Sequence, residues 1–180
     1  MQIKKINKYS FAVALVLIAS LSNPISSIAA SPSPSTTNPY GGVKVDPLGP
    51  NETILTISKG KIVKRLSLND LLVLNPKEIS IYEPFIRKRQ KFTAVKLSQL
   101  FKLVAISNSN RVSTIALNDY VYANSAKSFL SADGYLAIKR DGKLIPYDQG
   151  GPIRIIYPDS SRWSKFLDPW NWSLSRITAK

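Results

Sequence analysis

Apolar positions along this chain recur mostly with a period of two, the spacing of half-buried strands, and only briefly with the spacing of a helix face. Residues 53–58 alternate in this way, Lys59-Gly60-Lys61 supplies a tight turn, and 62–66 reads as the return strand. Ser67 then stands where a helix N-cap belongs. Leu68, Leu71 and Leu72 fall on one face, Asp70 takes the place a capping box uses, and Pro76 stops the segment. A strand is predicted at 79–82, ended by Glu83-Pro84. Residues 92–95 lead into a second short helix at 97–104, whose Leu97, Leu100, Phe101 and Val104 share a core-facing side.

Strand character returns at 111–117 and 121–123, with Asn118-Asp119-Tyr120 between them as a turn or part of a site. One or two helical turns are predicted at 126–130 and a strand at 134–139. A hairpin turn of the Asp-Gly kind follows at Arg140-Asp141-Gly142-Lys143, with a return at 144–146. The chain then reaches Gly150-Gly151-Pro152-Ile153-Arg154-Ile155-Ile156-Tyr157-Pro158. Two glycines let the backbone pass close to a partner, and one arginine stands alone in a β-rich apolar run. Arg154 either faces solvent from an alternating strand or meets a buried acceptor such as a carbonyl, carboxylate, phosphate or polar heterocycle.

The N-terminal pattern is of another kind. Lys4, Lys5 and Lys8 form a basic head, 11–21 is an apolar core too short for a bilayer, and Ser27-Ile28-Ala29 offers small residues at cleavage offsets. Residues 1–29 read as a cleaved export signal without a twin arginine, which predicts a periplasmic or secreted protein that does not span the membrane after cleavage. Residues 30–52, rich in Ser and Pro, read as a flexible leader, and 53–180 as a single domain.

Charge and composition narrow the chemistry. The formal net charge of +14 becomes +11 once the three lysines of the signal are removed, a balance that favours an acidic partner or anionic ligand. Without an aromatic-basic motif, nucleic acid is not expected. The chain has no cysteine and no histidine, so thiolate and imidazole metal ligands and every histidine-based nucleophile are excluded. No two carboxylates are spaced as a paired acid and base, and the Asp/Asn density of a calcium loop is missing. Arg87-Lys88-Arg89-Gln90-Lys91 puts four cations in five residues and reads as a solvated loop or an anion contact. All three tryptophans lie between 163 and 172, where they serve either as a platform for a planar heterocycle or as a plug for the core.

The order of Leu71-Leu72, 92–100, Leu117-Asn118-Asp119-Tyr120, Arg140-Asp141-Gly142-Lys143, the Gly-Gly-Pro stretch, and Trp172, Leu174 and Ile177 resembles the sulfite-oxidase-type molybdopterin-binding domain. It is most similar to the small exported single-domain members of that superfamily. The resemblance implies a mixed α+β fold with a curved, barrel-like, mostly β core and short helices. It also implies a pterin pocket in which Arg154 and Gly150, Gly151 and Pro152 face the pterin. Asn118, Asp119 and Tyr120 would line the mouth, Arg140 the rim, and Trp170 and Trp172 would stack. The enzymes of the family carry a molybdenum-binding cysteine after the strand matched by 79–82. Here the chain reads Tyr82-Glu83-Pro84-Phe85, and Ala94 replaces the family's glycine after Phe92-Thr93.

These departures predict a non-catalytic periplasmic module that binds a pterin, free or molybdopterin-like, and no metal. The resemblance further implies that it signals occupancy to the periplasmic domain of an inner-membrane protein, such as a cyclic-di-GMP enzyme. Two alternatives stay open: a molybdopterin-dependent oxidoreductase, and a basic adaptor whose 87–91 segment docks on an acidic protein or membrane surface.

Overall fold

The computed structural model describes residues 49–180, so the expected signal and most of the expected leader lie outside the described residues. Ten strands and three short helices follow one another: β1 (Thr53–Lys59), β2 (Ile62–Ser67), α1 (Leu68–Leu72), β3 (Lys77–Glu83), β4 (Lys88–Lys96), α2 (Leu97–Lys102), β5 (Arg111–Ala116), β6 (Val121–Ser125), α3 (Ala126–Ser131), β7 (Tyr135–Arg140), β8 (Lys143–Leu144), β9 (Arg154–Ile156) and β10 (Leu174–Ala179). A single 3-10 turn, Tyr147–Gln149, precedes the glycines.

The strands form two sheets. One has the order β2-β1-β10-β5-β6, the other β3-β4-β7-β8 with β9 also on β7. Within the first, β1 and β10 run parallel and the other pairs antiparallel, so the last strand is inserted beside the first. The fold is mixed α+β and strand-dominated, and among the described residues both sheets are open rather than closed into a barrel.

Local rules account for most of these elements. In β5 the inward side chains are Val112, Thr114 and Ala116, which is the alternation read from the sequence. Tyr135, Leu136, Ala137 and Ile138 of β7 are all buried, as befits a strand flanked on both edges and covered on both faces. Leu97, Leu100 and Phe101 of α2 and Phe129 of α3 join side chains of both sheets in one apolar cluster. Helix α2 ends at Lys102, two residues short of the predicted limit, while Val104 remains buried just beyond it. The largest correction concerns the cationic cluster. It is not a loop: β4 begins at Lys88 and runs through to Lys96, with Arg89 on Asp159 and Lys91 on Glu78, each at 2.6 Å.

The capping box on α1 is formed as its residues predict. The Ser67 hydroxyl accepts from the Asp70 backbone N–H, and the Asp70 carboxyl accepts from the Ser67 backbone N–H at 2.8 Å. These bonds from Ser67, backbone first and hydroxyl second, hold Asp70 below the ordinary aspartate range. A carboxyl lowered by folding stabilises at pH values above its unfolded pKa, and that contribution is lost as the pH falls through its folded pKa. Ser67→Ala is expected to cost about 1 kcal/mol, and Asp70→Asn to flatten the acid limb of the stability curve. Urea titrations at neutral and acid pH check both.

Candidate functional site

Everything in the Gly-Gly-Pro region is organised around the fully buried Arg154. The backbone of 171–174 lies along it: Ile155 N–H donates to Asn171 O, Leu174 N–H to Ile153 O and Ser173 N–H to Gly150 O, each at 2.9 Å. This pairing sets Trp172 over the arginine, with the guanidinium carbon 5.0 Å from the ring centroid. Phe85 meets the same indole edge-on at 4.5 Å.

The acceptor that Arg154 requires is Glu83, at the end of β3. Its Oε1 lies 3.1 Å from Nη2 of Arg154, and both side chains are 0% exposed. The same carboxylate accepts from the backbone N–H groups of Phe85 and Ile86, at 3.4 and 3.0 Å, and so closes the turn that follows β3. Among the acceptors the sequence left open for Arg154, the molecule supplies a carboxylate from its own chain, and the solvent-facing alternative is overturned. An isolated buried charge is far costlier than a paired one, so the fold brings both partners together.

The two glycines have different reasons. Gly150 adopts a left-handed backbone, φ +83°, with Trp172 and Arg154 side chains 3.3 to 3.4 Å from where a Cβ would stand. At Gly151 a Cβ would fall 1.9 Å from the carbonyl oxygen of Ile145. The close approach expected at this position is therefore made to the chain's own backbone. The Gly151–Pro152 peptide is cis.

The remaining predicted residues divide into groups. Pro152 lines an open cleft of about 230 Å³ with Leu117, Tyr147, Ser175 and Arg176. The Asn118-Asp119 turn stands at its edge: Leu117 N–H donates to Ser173 O at 2.8 Å, and Asp119 pairs with Arg176 at 3.7 Å. Asn118 Oδ1 accepts from Tyr120 N–H, the local bond of an Asx turn. The Tyr120 hydroxyl donates to Asp168 O at 3.1 Å, and burial together with the Asp168 charge raises its pKa above the ordinary value. Arg140 donates to Gln149 Oε1 and thereby ties β7 to the turn entering Gly150.

The core-plug reading of the tryptophans holds for two of them. Trp170 is buried, donates from Nε1 to Trp163 O at 2.9 Å, and packs with Trp163 on the buried Tyr157. These two plug the core, and burial pushes the Tyr157 hydroxyl well above its ordinary pKa. Trp172 alone joins Arg154. Glu83 was not among the predicted site residues. Its signal was its place, at the end of β3 within the 82–85 stretch where the resemblance expects a cysteine.

The residues at 82–85 do not fit a metal-bearing molybdopterin: they include no thiolate, and turning the Glu83 carboxylate, committed to two backbone donors and to Arg154, toward a metal would take the counter-charge from a buried guanidinium. Among the described residues no group of three or more Asp or Glu converges as a metal cage, and no helix is long and apolar enough to cross a membrane.

No family model matches this chain, and no curated protein sequence does. Among solved structures, the sulfane dehydrogenase SoxCD from Paracoccus pantotrophus is similar, with a TM-score of 0.57 at 13% identity. The match covers 86% of this chain and 49% of that one, so the chain spans about half the length of the structure it matches. What the two proteins share is the fold: this chain has the strand-dominated α+β architecture of part of that dehydrogenase.

Proposed function

We propose that this protein is an exported, non-catalytic pterin-binding module that reports ligand occupancy to a membrane-bound partner. One observation carries the reading. In the stretch 82–85, which the sulfite-oxidase-type resemblance matches to the loop carrying the metal-binding cysteine, the chain has no cysteine and holds Glu83, buried and paired with Arg154 beside Trp172 and Phe85. That replacement removes the electron-transferring centre and keeps the surrounding fold rigid. The likeness to a dehydrogenase domain supports the architecture of this reading.

The ligand then rests in the cleft beside Arg154 rather than on it. A volume of about 230 Å³ lies below the roughly 300 Å³ at which pockets for drug-sized ligands begin, and suits one bicyclic ring. Leu117 and Pro152 offer apolar surface to its face, and the Arg176 guanidinium offers donors to its polar edge.

The test is fluorescence and mass spectrometry of small molecules released from periplasmic protein, with biopterin titration of the emptied protein. Wild type is expected to bind, while Arg176→Ala and the cleft-filling Leu117→Trp lose most of the affinity with melting temperatures near wild type. Absence of pterin affinity in wild type sinks the proposal, and molybdenum in elemental analysis returns the chain to the oxidoreductases.

A further inference from the structure

A second cleft, of about 340 Å³, opens beside the end of β3, at the chain neighbours of Glu83. It is lined by Tyr82, Pro84, Arg87, Asp159, Ser164 and Lys165. We infer that this cleft is a docking site for an acidic, apolar-flanked segment of a protein partner, with Arg87 and Lys165 receiving its carboxylate.

Charge supplies the first argument. Asp159, the one acid in the lining, is committed elsewhere. It accepts from Tyr82 N–H at 2.7 Å and from Arg89 at 2.6 Å, bonds that hold its carboxyl below the ordinary aspartate range. Arg87 and Lys165 make no ion pair among the described residues, so the cleft presents two cations whose local acid is already neutralised.

Backbone geometry supplies the second. Arg87 has φ +55°, a left-handed conformation that turns its side chain out of the run of β3 and β4. The turn presenting it is closed by the Glu83 carboxylate through Phe85 and Ile86. The buried ion pair therefore holds the exposed cation in place.

Apolar surface supplies the third. Phe85 and Phe166, each the chain neighbour of a lining residue, are 39% and 63% exposed, and Tyr82 and Leu167 are 47% exposed. Aromatic side chains and arginine around a concavity match the anchor pockets of protein interfaces, and a flat lipid surface would not fill the hollow. The proposal deepens the partner half of the function above and rests on it only there. No pterin enters its test, so the two fail separately.

The experiment is fluorescence anisotropy of the mature protein with a short labelled peptide alternating Glu and Leu, in rising salt. Reversing both cations, Arg87→Glu with Lys165→Glu, is expected to weaken binding about tenfold or more and to create affinity for the Lys-Leu counterpart. Reversing the exposed Lys64 and Arg65 on β2 instead is expected to change affinity less than about threefold, since distant charges are screened. Equal losses for the two pairs would reduce the effect to net charge and overturn the site. So would tighter binding to phosphatidylglycerol vesicles that the peptide fails to displace, because the surface would then be a lipid one. Unchanged melting temperatures establish that the variants are folded.

Discussion

Glu83→Ala is expected to lower the stability of the domain by about 3–5 kcal/mol, the range for breaking a buried ion pair at one end. The substitution leaves the 0%-exposed guanidinium of Arg154 without this counter-charge and deprives the Phe85 and Ile86 amides of their acceptor. At the entropy of unfolding of a domain this size, the melting temperature should fall on the order of 10 °C or more. Arg154→Met alone should be similarly harmful, because it strands a buried carboxylate. The pair Glu83→Met with Arg154→Met should recover much of the loss, since apolar residues of similar volume often replace buried ion pairs at little cost. A double-mutant cycle by urea denaturation measures this coupling. A Glu83→Ala protein within about 1 kcal/mol of wild type would mean that the pair contributes little. Arg154 would then be available to a ligand after all.

Gly151→Ala should be at least as damaging, for a steric reason. The added Cβ would stand 1.9 Å from Ile145 O, 2.6 Å from Ile145 C and 2.8 Å from Pro146 O, all of them backbone atoms that no rotamer change can move. The segment leaving β8 and the strand carrying Arg154 would have to separate, which also displaces the cation from Glu83. A loss above about 4 kcal/mol, or failure to accumulate as folded protein, is the expected outcome. Gly150→Ala, one residue earlier, meets only side chains at 3.3 to 3.4 Å and the strain of φ +83°. It should cost about 1–2 kcal/mol. Thermal melts of the two variants side by side separate backbone collision from backbone strain, and a Gly151→Ala protein that melts like wild type would refute the packing described.

Several features were legible before any coordinates because their causes are local. Ser67 and Asp70 cap α1 through bonds within one turn, and the hairpin at Asp141-Gly142 depends on two residues. The alternation of β1 and β5 follows from one covered and one exposed face. Arg154 could be recognised as the one charge in an apolar run, and its need for an acceptor followed from its donors.

Which acceptor it meets depends on a residue 71 positions away, and no periodicity records that Glu83 and Arg154 belong together. The same holds for the cationic cluster. Arg89 and Lys91 look like a solvated loop until β3 and the 158–159 turn bring Glu78 and Asp159 beside them, and only then does Arg87 remain as the cation facing a cleft. Trp170 and Trp172 are two residues apart yet point into different surroundings, one the core and one the arginine, because the chain between them passes over Ile155. The sequence by itself determined the strand-rich domain, its caps and turns, and the isolation of one charge among isoleucines, all set by short-range sterics and by the period of burial. Tertiary structure alone decided that this charge is satisfied from within the chain, because long-range pairing is chosen by the energy of burying two opposite charges together.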